Sequence, residues 1–205
     1  FGSGFKIAMR DLEIRGAGSL LGEIQSGHLE QVGYDTYCNL LDEVVKEMQG
    51  VEVEPEIDIQ IDLNVTSYIP DEYIQDSAQK IEVYQNIALC RNEEDIQNVI
   101  DEIIDRFGNM PKELENLIDI ARIKYISKKL DIEKIASRKN AVVFTFKASS
   151  SEDKFKIDIA QLVKKYGTKI KFSAGIKPMI TLDIGTSSER KVLNDTTEFV
   201  KYLLG

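Results

Sequence analysis

Two stretches of this chain have residue types and spacing that could do chemistry, and both point to contact rather than catalysis. The first is Asp11-Leu12-Glu13-Ile14-Arg15-Gly16-Ala17-Gly18-Ser19-Leu20-Leu21-Gly22-Glu23-Ile24-Gln25-Ser26-Gly27. Here a helix end runs into a glycine turn (Gly16, Gly18), then an apolar anchor (Leu20-Leu21), then a loop held by Gly22 and Gly27. Arg15 emerges where the helix stops and Gln25 sits in the loop, so a guanidinium and a carboxamide can be offered to a phosphate or to a neighbouring domain. The same residues also read as a glycine-rich connector in which Arg15 pairs with Glu13 or Asp11. Composition alone favours that plainer reading.

The second stretch is Glu102-Ile103-Ile104-Asp105-Arg106-Phe107-Gly108. Glu102 and Asp105 share one face in the last two turns of a predicted helix, where carboxylates meet the negative end of the macrodipole. A compensating cation is therefore expected. It is either local, with Arg106 four residues on from Glu102, or it is a basic patch on another domain. Spacing alone favours the local pair.

Other chemistries lack their residues. No G-x-x-x-x-G-K-[ST] loop is present to cradle a nucleotide, so ATP hydrolysis by this chain alone is not expected. His28 is the single histidine and has no CxxC beside it, which argues against zinc; no metal is expected. A Ser-His-Asp set is formally open, but no nucleophile-elbow sequence supports it. Cys38 and Cys90 both fall in helical patterns and read as reduced, buried thiols. No apolar run approaches the roughly 18 residues of a membrane span. Nothing resembles a secretory signal. The expected location is cytoplasmic, and the absence of an initiator Met suggests an excised fragment.

The net charge of −9 hides an asymmetry. Residues 1–50 carry 4 Lys and Arg against 8 Asp and Glu (−4), residues 51–110 carry 3 against 15 (−12), and residues 111–205 carry 19 against 12 (+7). So acidic a middle is a poor partner for duplex DNA, whose affinity comes from neutralising Lys and Arg. It suits a basic protein surface better, although acidic helices are also simply soluble.

The elements that must position these residues can be read from periodicity. Of 13 glycines, seven lie in the first 33 residues, which marks a boundary. Phe5 to Ile14 reads as a short helix, and a second runs from an Asp35 cap to Gly50. Ile57, Ile59, Ile61, Leu63 and Val65 alternate with polar residues, which predicts a strand. Three helices follow. One carries Ile74, Ala78, Ile81, Tyr84 and Ala88, and one runs from the Asn92 cap to Gly108. The third has Pro111 at its first position. Strands are predicted at 132–136, 140–147, 168–173 and 178–184, with helices near 155–166 and 188–204. The fold class is α+β: a helical, glycine-rich N-terminal hairpin-loop segment, then helices packed on a small mixed β-sheet. The expected divisions are 1–50, a connecting strand at 51–66, and a domain over 67–205.

The run DLEIRGAGSLLGEIQSG, followed by VGYDTYCNLL, resembles the translocation (TRG) motif shared by RecG and the bacterial transcription-repair coupling factors (Mfd family). Resemblance to the latter continues through Tyr68-Ile69-Pro70-Asp71-Glu72-Tyr73-Ile74, Lys80-Ile81-Glu82-Val83-Tyr84-Gln85 and Glu102 to Gly108 before Pro111. It implies that Arg15 and Gln25 couple ATP hydrolysis to movement on double-stranded DNA, with Gly16, Gly18, Gly22 and Gly27 shaping the loop. Members carry more of the hairpin upstream, so the contacts of Arg15 and Gln25 are expected outside this chain. ATP and Mg would likewise be bound by the parent protein's motor, with no cofactor in this fragment. The resemblance also implies a C-terminal regulatory domain that docks on a UvrB-like module through Glu102, Asp105, Arg106 and Phe107. That docking hides the surface that recruits UvrA until a stalled RNA polymerase is engaged. The other readings are a stand-alone protein-interaction module and a RecG-like fork-remodelling fragment, the latter disfavoured by the long continuation after the motif.

Overall fold

Local capping chemistry sets the helical part. The Asp76 carboxylate accepts from the Gln79 amide at 2.9 Å and starts α1 (Ser77–Ala88). Asn92 does the same for the Asp95 amide at 2.8 Å and starts α2 (Glu93–Phe107). Gly108, at φ 87°, ends α2 in a conformation that side chains with a Cβ avoid. The third helix, α3 (Lys112–Lys129), begins one residue later than its pattern predicts. The Pro111 carbonyl accepts from the Glu115 amide at 3.1 Å, so Pro111 stands just before the first helical residue. Ile74 is buried as its spacing predicts, but it precedes α1 and lies in a turn in which the Tyr73 and Ile74 amides donate to the Pro70 carbonyl.

The computed structural model describes residues 59–148, 157–185 and 188–205. The chain divides into two compact units, and the division falls inside α3. The described part of the first is Thr66–Ala121; the second is Ile59–Val65 with Arg122–Gly205. In the first unit two bonds secure the segment leading into α1. The Tyr84 hydroxyl accepts from the Ile69 amide at 2.9 Å, and the Asn116 carboxamide donates to the Thr66 carbonyl at 2.9 Å. Ile69, Ile74, Ile81, Ile96, Ile103 and Leu117 are among the buried apolar residues of this unit.

The second unit holds a five-stranded mixed sheet: β1 (Gln60–Asp62), β2 (Ile132–Arg138), β3 (Ala141–Phe146), β4 (Ile170–Ser173) and β5 (Met179–Asp183), in the order β1-β2-β3-β5-β4. β1 pairs parallel to β2, and every other pairing is antiparallel. The register puts Ile135, Phe144, Ile180 and Phe172 in one row and Val142, Leu182 and Ile170 in the next, so one sheet face is apolar. Two further helices, α4 (Ile159–Tyr166) and α5 (Glu189–Leu204), belong to this unit. Phe199 of α5 packs on Phe144 with ring centroids 4.6 Å apart, and Tyr166 meets Phe199 edge-on at 5.3 Å. The architecture is α+β, as the period changes in the sequence predict.

β3 and β5 match their predicted spans to within one residue at each end, but two other strands fall short of their patterns. Ile59, Ile61, Leu63 and Val65 are all buried, yet the ladder covers only Gln60–Asp62. Beyond it the Asn64 amide turns to the Ser137 hydroxyl at 2.9 Å and the Val65 amide to the Leu63 carbonyl, so alternating burial outlasts strand pairing. The strand predicted at 168–173 begins at Ile170, because Gly167–Lys169 forms a 3-10 turn. Among the described residues no helix is long and apolar enough to cross a membrane. The predicted helices of residues 1–50, and Cys38, lie outside the described residues.

Candidate docking face

Glu102, Arg106 and Phe107 come together at the C-terminal end of α2, and their neighbours come from upstream in the same unit. Arg106 Nη1 donates to Glu102 Oε1 at 3.2 Å, the local pair that the spacing predicts. It also donates to Glu82 Oε1 of α1 at 3.2 Å, a partner that the helix's own spacing could not reveal. The hydrogen bond that Arg106 donates to Glu82, with lesser help from Glu102, holds the Arg106 pKa above its ordinary value. The guanidinium lies 5.0 Å from the centre of the Phe107 ring. Tyr73 meets the same ring from the other segment at 6.0 Å, and its hydroxyl donates to the Gly108 carbonyl at 2.6 Å. That bond satisfies a carbonyl at the helix end and clamps the Pro70–Ile74 turn to α2.

The charges at this end of α2 do not balance. One guanidinium serves two carboxylates, and Asp105, one position before it, is exposed with no ion-pair partner among the described residues. Across Thr66–Ala121 there are 13 Asp and Glu against 4 Lys and Arg, a net −9. Ile104 is 41% exposed beside these groups. An acidic rim around partly exposed apolar side chains suits a cationic protein surface.

A second ion pair supports the face from behind. Lys80 is 3% exposed, and its ammonium pairs with Asp71 in the same Pro70–Ile74 turn. Burial lowers the Lys80 pKa. The sequence run that contains Lys80 and Glu82 was legible only as part of the resemblance. A lysine on an otherwise apolar helical face was the physical signal available.

Cys90 is a buried free thiol whose Sγ donates to the Asn86 carbonyl at 3.3 Å; burial, then Asp95, push its pKa up to about 11. So protonated a thiol is a poor nucleophile. No group of three or more His, Cys, Asp or Glu able to hold a metal occurs among the described residues. Arg15, Gln25, Gly16, Gly18, Gly22 and Gly27 all lie outside the described residues.

Comparison with known proteins agrees with the architecture and with the sequence resemblance. Residues 63–157 match the TRCF domain model. The transcription-repair-coupling factor of Bacillus subtilis is 41% identical over 170 residues, covering 82% of this chain and 14% of the relative. That of Staphylococcus epidermidis is 43% identical over 154 residues, covering 74% and 13%. That of Staphylococcus aureus is 47% identical over 125 residues, covering 60% and 11%. This chain thus spans only about a seventh of the length of such relatives. A crystal structure described as the C-terminal domain of transcription-repair coupling factor superposes with a TM-score of 0.62 at 23% identity, covering 72% of this chain and 92% of that one, and it shares the fold. Through the region it has in common with these relatives, the chain belongs to the transcription-repair-coupling factor family.

Proposed function

We propose that this chain is the C-terminal part of an ATP-driven translocase on double-stranded DNA that releases stalled RNA polymerase at lesions and recruits UvrA. Within it, residues 1–50 transmit motion, with Arg15 and Gln25 as the coupling groups. The unit built on α1–α3 is an autoinhibitory dock: its acidic α2 end rests on a basic patch of a UvrB-like module and masks the UvrA-binding surface. ATP and Mg²⁺ belong to the motor of the parent protein.

The observation that carries the docking role is the surplus of negative charge at the end of α2. Arg106 is already shared between Glu82 and Glu102, so neither it nor any other described cation neutralises Asp105. Burying such a face would need cations from the other side. Charge reversal tests this in the full-length protein. Glu102→Lys with Asp105→Lys is expected to raise its affinity for UvrA about tenfold, a coupling of ordinary allosteric size. Unchanged UvrA affinity would reduce Glu102 and Arg106 to a salt bridge that only trims the helix end.

A further inference from the structure

The acidic unit has a counterpart in the second unit, where charge of the opposite sign collects along one edge of the sheet. β4 is the last strand in the order β1-β2-β3-β5-β4, so its outer side has no strand neighbour among the described residues. All of Lys171–Lys177 is exposed, which includes the last three of the four residues of β4 and the turn into β5. Phe172 is 42% exposed and Ile176 is 87% exposed. Val163, on the helix α4 that leads into β4 and rests against it, is 53% exposed. Three cations frame these apolar groups. Lys164, Lys169 and Lys171 are exposed and have no ion-pair partner among the described residues. Lys177 differs, being paired with Glu133 at 2.6 Å.

We propose that the outer edge of β4 is a docking site for an acidic, extended protein segment that adds to the sheet as a further strand. An edge strand offers main-chain hydrogen bonds to any incoming strand, and side chains on alternate positions choose which strand is accepted. Carboxylates on the incoming segment would meet Lys164, Lys169 and Lys171, and its apolar side chains would cover Ile176.

Lysines on an edge are also a common guard against aggregation, and the charge that repels a second copy attracts an acidic strand. A second copy pairing β4 against β4 would oppose Lys169 and Lys171 to their like, which destabilises the ladder. A neutral strand gains nothing from the cations. An acidic strand gains from both features. Phosphate of a duplex would use the lysines but leave Ile176 in water, so nucleic acid accounts for half of the surface only.

The test uses the 205-residue chain and three fluorescent probes read by anisotropy: a ten-residue peptide alternating Glu and Val, its counterpart alternating Lys and Val, and a short DNA duplex. The acidic peptide is expected to bind saturably and the basic one not at all. Lys169→Glu with Lys171→Glu, and separately Ile176→Asp, are each expected to weaken the acidic peptide at least fivefold. These positions are exposed, so unchanged thermal unfolding of the variants shows that the fold is intact. The proposal is overturned if the acidic peptide does not bind, if the variants bind it as wild type does, or if the duplex is preferred over it. Neither result bears on the α2 face, which lies in the other unit.

Discussion

Asp71→Asn is expected to destabilise the chain by about 2–3 kcal/mol, because it leaves the Lys80 ammonium buried without a carboxylate. The loss is placed below the full cost of breaking a buried pair because Asp71 itself is 58% exposed and water screens it. For a chain of this length it corresponds to a fall in Tm of about 8 °C. The double variant Asp71→Asn with Lys80→Met removes the stranded charge as well, and should recover most of the loss. The pH dependence has a definite sign. Burial lowers the Lys80 pKa from its ordinary 10.5, so between the lowered value and 10.5 the unfolded chain holds more protons than the folded one. Stability from this group therefore rises with pH across that window, and the Asp71→Asn deficit should shrink toward about pH 10. Thermal melts of the three proteins at neutral and alkaline pH check it. A variant that melts with wild type would mean that the ammonium reaches water and the pair holds nothing. The consequence reaches the docking face, since Asp71 lies in the turn that sets Tyr73 on Phe107 and Gly108.

The other large effect concerns Arg15 and Gln25. In the full-length protein Arg15→Ala or Gln25→Ala is expected to leave ATP hydrolysis largely present while displacement of a DNA triplex falls by an order of magnitude or more. A coupling residue acts on the use of hydrolysis, not on hydrolysis itself, so the ratio of the two rates is the informative quantity. Hydrolysis and displacement falling together would point to a damaged motor; normal displacement by both variants would end the coupling role.

Periodicity and capping residues made most of the helices legible. Asn92 and Gly108 bracket α2 because a side-chain acceptor and a positive φ are local requirements that a sequence can state. The α2 pair of Glu102 and Arg106 was legible for the same reason. Glu82 was not, because it is 24 residues from Arg106 and reaches it only after α1 and α2 have packed. The strand around Ile59–Val65 shows another limit. Alternation records burial, and burial continues after the main-chain ladder with the partner strand β2 has ended. The edge at β4 was hidden too, since strand order is a property of the assembled sheet and the run Ile170–Ser173 does not say which side it will leave open.

Direct docking tests the central claim. The isolated UvrB-like module is titrated with the 205-residue chain, as wild type and as Glu102→Lys with Asp105→Lys, at low and moderate salt. The wild-type chain should bind, more weakly as salt rises, and the reversed chain should lose at least tenfold in affinity. Equal affinity of the two proteins for the module would contradict the assignment of the α2 end as the contact.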